Sequence, residues 1–515
     1  MKRLLDPHQD EAIAFIRAHN GQAGVFMAPG TGKTLVAIRY TTEHLPEPRR
    51  YPALVLGRRD DYMTWRDELQ AEGIPRAKIQ EIEGSSSAKD AYNRYHMAGR
   101  HIHPWWTLVT YDLMRDPEVR RYVAGMSWQV VIADELHSIK RIEAERTKWT
   151  LKSTRHVPVR LGLTGTPITN EPSDVFTECL FIDDGRTFGS NWWKFRTEFY
   201  IKAGMSWVRR RGSKPEIIKR LRRVAFHVHE DDVLKLPPVR RVTKAVPMSG
   251  MQRKLYEQVL HDWEYQIAGG KPNEINQVVV QLAKLRQIAS GFVYKPSVVA
   301  DTLERGVNPA DIDIYSYSWE AGPRSATSTQ VRAATHRLRS SKLELMLSHL
   351  EDDDEFGPSR YQKVVIWAAH TADVIGIADA LRARGDVAVT FCGSNRLAKE
   401  QARRRFRDDS ACRFFIGQAD SGVGMNELTV ANIAMYFSNS QRVVSRQQSE
   451  RRIRRRGSET HDHILYVDYI TEGTCEVGIH RDLKRGVSYA KSVTDALKRG
   501  ASIREALSLS ELPET

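Results

Sequence analysis

At 515 residues the chain is too long for one ordinary core and long enough for two or three domains. Its 78 Lys and Arg against 64 Asp and Glu give a net charge of +14, and 41 % apolar with 28 % charged residues is a globular rather than a disordered composition. No apolar run approaches the roughly 18–20 residues that span a bilayer, charge at Lys2, Arg3 and Asp6 argues against a signal peptide, and no collagen-like repeat is present, so membrane-spanning, secreted and fibrous classes are set aside.

In chain order, short apolar runs at 24–28, 53–57, 107–110, 129–133 and 159–164 read as strands. Amphipathic helical patterns such as 33–44 and 60–71 lie between them. That alternation predicts a parallel sheet with helices on both faces. The middle is different. Residues 190–230 are rich in Arg and Trp, 251–288 has helical spacing, and 304–340 is loop-like with a Ser/Ala/Thr cluster at 325–328. An acidic run at 351–355, followed by Gly357 and Pro358, reads as an exposed turn. The strand–helix rhythm then returns at 363–367, 387–391, 413–417, 432–437 and 463–467, and the last 25 residues have helical spacing. Cys179, Cys392, Cys412 and Cys475 form no CxxC pair and no metal spacing, which predicts reduced thiols in a cytosol.

The charge is uneven. Residues 396–456 hold 14 Lys/Arg against 6 Asp/Glu, a net +8. A solvated helical face and a polyanion groove are both open readings of such a run.

Three motifs carry chemistry. Met27-Ala28-Pro29-Gly30-Thr31-Gly32-Lys33-Thr34 follows a predicted strand and opens a predicted helix, the context of a phosphate-binding loop. There the glycines let backbone N–H groups approach phosphate, Lys33 reaches the β/γ phosphates and the Thr34 hydroxyl is placed for Mg²⁺. Met27 stands where the strict pattern has glycine. About 100 residues on, Asp134-Glu135 follows the apolar run 130–133. Asp134 suits Mg²⁺ held through water, and Glu135 suits orienting or deprotonating the attacking water. His137 is open to two roles, a satisfied structural histidine or a relay. Arg451-Arg452-Ile453-Arg454-Arg455-Arg456 supplies fixed-charge donors suited to a γ-phosphate, though five arginines cannot all face one phosphate.

In this order the motifs resemble a superfamily-two helicase core of the Swi/Snf-like DNA translocase kind. The resemblance is carried by Leu5–Gln9, Leu54–Glu68, Leu108–Tyr111, Asp134–Lys140, Leu163–Asn170, Leu236–Pro238, Met251–Tyr256, Leu285–Ile288, Ser341–Leu343, Lys363–Trp367, Ser421–Asn426 and Gln448–Gly457. It implies an α/β fold of two tandem RecA-like lobes, parallel sheets flanked by helices, with a helical insertion between them. The expected divisions are a first, ATP-binding lobe at 1–182, helical protrusions and linker at 183–340, a second lobe at 341–489 and a C-terminal helical brace at 490–515.

By the same resemblance Gln9 reads the adenine, and Pro29, Gly30, Thr31, Gly32, Lys33, Thr34 and Gly424 bind nucleotide. Thr34 and Asp134 serve the metal. Thr110, His137, Thr164, Gly165, Thr166 and Ser421 couple hydrolysis to DNA contact. Arg452 and Arg455 are the arginine fingers, with Arg451 or Arg454 as the finger if the register slips by one, because Glu450-Arg451 stands where the family has an Asp before the first finger. Trp192, Trp193 and Phe195 are expected to pack the insertion, with base stacking as the other reading.

The implied function is an ATP- and Mg²⁺-using motor on DNA, duplex or branched, with RNA also possible. It is expected to work as a monomer in a bacterial or phage-infected cytoplasm, away from membranes. The rivals are an unwinding enzyme for branched DNA or RNA–DNA hybrids, and an ATP-gated clamp.

Overall fold

The structure, a computed structural model, describes residues 3–47, 50–59, 61–97, 104–165, 174–203, 206–268, 275–294, 335–351, 363–392, 396–419 and 427–509. They form two compact units, Met1–Lys235 and Leu236–Thr515. Among the described residues no helix is long and apolar enough to cross a membrane.

The first unit is built on seven strands: β1 (Gln22–Met27), β2 (Ala53–Gly57), β3 (Ile79–Glu81), β4 (Trp106–Thr110), β5 (Val130–Ala133), β6 (Val159–Thr164) and β9 (Ala225–Val228). Their order is β3-β4-β2-β5-β6-β1-β9, every pair parallel. Strand periodicity divides the apolar side chains between two cores, one on each face. Leu54, Leu56, Val131 and Ala133 enter one core, while Ala53, Val55, Val130 and Ile132 enter the other. Helices α1 (Pro7–Ala18), α2 (Lys33–Arg39) and α3 (Asp61–Ala71) follow the expected patterns, and α2 continues as a π-turn through Tyr40–His44.

Hairpin β7 (Tyr200–Ala203) and β8 (Ser206–Arg209) is antiparallel and separate from the main sheet. Helices Trp192–Phe199 and Ser213–Leu221 flank it.

In the second unit β10 (Val239–Val246), β13 (Val364–Trp367), β14 (Val387–Phe391), β15 (Cys412–Gly417), β16 (Ile433–Tyr436) and β17 (Ile464–Thr471) form a sheet in the order β10-β17-β16-β13-β15-β14. All its pairs are parallel too. Alternation again makes two cores: Val364 and Ile366 face one, Val365 and Trp367 the other. A two-stranded piece, β11 (Phe292–Tyr294) with β12 (Thr335–Arg337), stands apart.

The two parallel sheets are the two RecA-like α/β lobes the sequence implies. The divisions between them differ from expectation. The stretch 183–340, read as helical, contributes β9 to the first sheet and β10 to the second. Both are half-exposed edge strands, and their mixed polarity hides the strand signal. Helices Tyr489–Lys498 and Ile503–Ala506 share an apolar core with Gly250–Ala268 and Ile275–Ser290, so the C-terminal segment braces helices of the second unit. Most of 304–340 and the acidic run at 352–355 lie outside the described residues.

Candidate active site

The carboxyl ends of β1, β6, β5 and β2 are neighbours, as the pairs Phe26 with Thr164, Ala133 with Gly162 and Leu56 with Ala133 show. In open parallel sheets this edge is where ligands bind. The glycine-rich loop leaves β1 there and turns into α2. Gly30 and Gly32 hold φ of 88° and 89°, the left-handed region that glycine adopts without penalty. A Cβ at Gly32 would lie 2.2 Å from Gln9 Nε2.

Gln9 and His8 hold this loop from α1. Gln9 Nε2 donates to the Thr31 carbonyl at 3.0 Å, and His8 Nε2 lies 2.9 Å from the same oxygen. Gln9 Oε1 accepts from the Asp6 amide, closing a capping box at the start of α1. Thr31 Oγ1 donates to the Ala28 carbonyl at 2.7 Å, and Lys33 Nζ reaches the same carbonyl at 3.4 Å. Both side chains therefore fix the loop, and Thr34 follows on the first turn of α2.

The acidic pair sits beside this loop. Asp134 Oδ2 accepts from the Trp65 indole N–H at 2.8 Å, and Oδ1 accepts from the Glu135 amide at 2.9 Å. The Tyr111 hydroxyl donates to the Asp134 carbonyl at 2.8 Å. Glu135 occupies left-handed backbone, φ 48° and ψ 54°, a cost tolerated where surrounding structure over-determines it. Its Oε2 lies 3.2 Å from His137 Nδ1, and Thr164 Oγ1 lies 3.4 Å from the same nitrogen. Arg58 Nη2, which can only donate, is 2.9 Å from His137 Nε2. Nε2 is thus the acceptor, and the proton of the neutral ring belongs on Nδ1, facing Glu135 and Thr164.

Three carboxyls stand together, Asp61 buried and Asp134 and Glu135 partly buried. Burial and the charges of Asp134 and Glu135 hold Asp61 well above the usual carboxylate range. Burial and Glu135 push Asp134 up against the opposing Trp65 hydrogen bond and Lys33 charge. Glu135 goes the other way. Burial raises it, but the His137 hydrogen bond and the charges of Arg58 and Lys33 outweigh burial and hold it down. Environments that separate two neighbouring carboxyls in this way assign them different roles. Burial beside both acids keeps the Tyr111 phenol protonated, as its donor role requires. The Asp134 carboxyl, pushed up by its neighbours, and the Thr34 hydroxyl are oxygen donors of the kind a hard divalent cation takes. Among the described residues no group of three or more His, Cys, Asp or Glu is arranged to hold a metal by itself.

Gly165 also joins this edge, since a Cβ there would come within 2.9 Å of Pro29 Cδ. The Thr110 hydroxyl accepts from the Leu113 amide at 3.3 Å and is buried at the end of β4. Thr166, Ser421 and Gly424 lie outside the described residues. Sequence reading did not single out Arg58, Asp61, Trp65 or Tyr111 as individual site residues. Arg58, Asp61 and Trp65 fall inside the quoted segment Leu54–Glu68, and a buried indole needing an acceptor was the available signal.

In the second unit Arg452 lies on helix Val443–Ile453 and is only 4 % exposed. Its guanidinium stands 5.1 Å over the Trp367 ring and donates to the Ala419 carbonyl at 3.2 Å. Arg451, one residue earlier, is half-exposed. Arg454 Nε donates to the Pro237 carbonyl at 2.9 Å, and the Arg455 amide donates to Ser458 Oγ at 3.2 Å. The same helix carries Arg446, buried in a network. Its guanidinium pairs with Asp468 and Glu450, donates to Asn439 Oδ1 at 2.8 Å, and stacks 3.4 Å over Tyr436.

The family profile of the SNF2-related domain matches residues 8–291. The CHD3-type chromatin-remodeling factor CHR7 of Arabidopsis thaliana is 27 % identical over 298 residues, covering 56 % of this chain and 23 % of that protein. The Zorya protein ZorD of Escherichia coli is 26 % identical over 300 residues, covering 52 % of this chain and 26 % of that protein. The chain thus spans about a quarter of the length of these two curated relatives. Among solved structures, the Sulfolobus solfataricus SWI2/SNF2 ATPase core in complex with dsDNA is 19 % identical, with a TM-score of 0.41, covering 100 % of this chain and 98 % of that one.

Proposed function

This chain belongs to the SNF2-related domain family, and from that premise we propose that it is a nucleic-acid-dependent ATPase that uses ATP with Mg²⁺ to move along DNA. The observation that carries this reading is Glu135. It is held ionised in strained backbone by His137, one residue from the anchored Asp134, with Lys33 near enough to bear on both.

In this reading Pro29, Gly30, Thr31, Gly32 and Lys33 cradle the phosphates of ATP, and Gln9 sets the loop's shape from α1. Thr34 and Asp134 would hold Mg²⁺, which would offset phosphate charge when bound. Glu135 orients the attacking water and accepts its proton. His137, its tautomer set by Arg58, links Glu135 to Thr164, and Gly165 lies on Pro29. This pair of contacts gives the coupling segment a physical route to both hydrolytic groups.

Of the two finger registers, burial favours the earlier one. A side chain stacked on its own unit's Trp367 is committed to that unit, so Arg451 is the better donor to a phosphate than Arg452. Strand separation at branched DNA is a second reading, supported by the exposed Trp193 in basic surroundings.

Steady-state ATP hydrolysis with and without single-stranded DNA, duplex DNA and RNA tests the proposal. Stimulation by DNA is expected. Glu135→Gln should abolish turnover while leaving nucleotide affinity intact, and retained stimulated hydrolysis in that variant removes Glu135 from its role. Strand-displacement beside triplex-displacement assays separates unwinding from duplex tracking. Tight DNA binding without turnover would point to a clamp.

A further inference from the structure

The first unit carries a second charged surface, away from the phosphate loop in sequence. Residues 191–229 hold eleven Lys/Arg against two Glu. They build one small body: helix Trp192–Phe199, hairpin β7–β8 and helix Ser213–Leu221. Phe195, Phe199, Ile217 and Leu221 anchor it in the unit's core. Arg220 ties the two helices together, donating to Glu198 at 2.8 Å and to Glu216 at 2.9 Å.

The aromatic pair at its start divides. Trp192 turns inward, its ring 5.3 Å from Phe176 and 5.6 Å from Phe195. Trp193 turns outward and is 61 % exposed, against the expectation that it packs. It is not loose, because Trp207 of the hairpin lies 6.5 Å away, centroid to centroid. The Arg196 guanidinium stands 4.6 Å over Trp207 and 5.5 Å over Trp193. An indole held out to solvent by a hairpin and an arginine is a pre-set stacking platform, not a packing residue. On helix Ser213–Leu221 and just beyond it, Lys214, Lys219, Arg222 and Arg223, with Pro215 and Ile218, line a groove of about 600 Å³. Four of its six lining residues are cationic, complementary to a phosphodiester backbone.

We infer that this body is an accessory site for an unpaired nucleic-acid strand, with phosphates along the Lys214–Arg223 groove and a base stacked on Trp193. A duplex offers phosphates to the groove, but its bases are already stacked, so only a single-stranded or junction segment can use both features. The inference rests on the DNA-motor reading above and narrows its substrate to DNA with a single-stranded arm beside the duplex.

The test uses the full chain and two labelled DNAs, a blunt duplex and the same duplex carrying a single-stranded arm, measured by fluorescence anisotropy over a salt series. Wild type should prefer the armed DNA. Trp193→Ala should lose that preference, about tenfold in affinity, with blunt-duplex binding and duplex-stimulated ATP hydrolysis unchanged, and Trp193→Phe should keep most of it. Lys214→Ala with Lys219→Ala should weaken both DNAs and flatten the salt dependence by about one to two units of log–log slope. Equal affinity of wild type for both DNAs, or an unaltered preference in Trp193→Ala, overturns the stacking site. An unchanged salt slope in the lysine variant overturns the groove. Absence of any DNA-stimulated hydrolysis in wild type instead defeats the motor reading, so the two failures are distinguishable.

Discussion

Arg58 donates to His137 Nε2 at 2.9 Å, and this contact places the ring's own proton on Nδ1, the nitrogen that faces Glu135. The two residues are 79 apart in the chain, one just past β2 and the other in the turn after β5. Without Arg58 the ring is free to take the other tautomer, and Glu135 loses a nearby positive charge.

Arg58→Ala is therefore expected to lower kcat about 10- to 100-fold with little change in KM for ATP. Arg58 helps hold the Glu135 carboxyl down, so its removal raises that carboxyl. The ionised form is then lost at higher pH, and the acid limb of the kcat profile should move upward. A pH–rate comparison of the two proteins checks both parts.

Gly32→Ala meets two obstacles at once, a φ of 89° and a Cβ 2.2 Å from Gln9 Nε2. Strain of this kind costs about 1–3 kcal/mol, and relieving it displaces Gln9 from the Thr31 carbonyl. Nucleotide affinity should fall at least about tenfold, since about 1.4 kcal/mol corresponds to that factor. Equilibrium binding of a fluorescent ATP analogue measures it.

Asp61 accepts from the Arg58 amide at 3.0 Å but is held well above the usual carboxylate range by burial beside Asp134 and Glu135. An acid raised by folding contributes stability that is full below its unfolded pKa and lost as pH rises through its folded pKa. Asp61→Asn keeps an acceptor for the amide and removes the buried charge. The variant should melt a few degrees above wild type near pH 7.5, with the difference vanishing near pH 4 and below. Thermal denaturation across that range reads it, and a constant difference would assign the effect to something other than charge.

Arg451→Ala and Arg452→Ala should fail differently. The first is expected to reduce turnover by about a thousandfold or more. The second loses the Trp367 stack and the Ala419 hydrogen bond, so its melting temperature should drop by a few degrees. Equal stability in both variants, with turnover lost only in Arg452→Ala, restores the later register.

Arg446 and Asp468 form a buried ion pair in the second unit. Burial opposes the Arg446 charge, but Asp468 more than offsets this and raises the guanidinium further. Asp468→Ala leaves that buried cation with Glu450 as its remaining carboxylate and should destabilise the protein by about 3 kcal/mol. Urea denaturation followed by tryptophan fluorescence measures it.

Ten strands were legible because each is an apolar run bounded by turn residues, and a largely buried run needs no partner to be recognised. The phosphate loop and the acidic pair were legible for a related reason. Their chemistry is written in consecutive residues, where glycine, Lys33 and Thr34 must follow a strand and Asp134 must end one. Sequence alone thus determined two α/β lobes and the glycine-rich loop and acidic pair that meet at one sheet edge. The tertiary structure decided what depends on partners distant in the chain. Edge strands β9 and β10 draw their identity from the sheets they join, not from their own half-polar residues. Trp65, Tyr111 and Arg58 became part of the site only because β2, β4 and β5 end side by side, where a partly buried carboxylate gathers donors from three elements. Trp192 and Trp193 are chemically alike and adjacent, yet one is core and the other is surface. Only the direction of the helix that carries them, set by Phe195 and Phe199 in the core, separates the two.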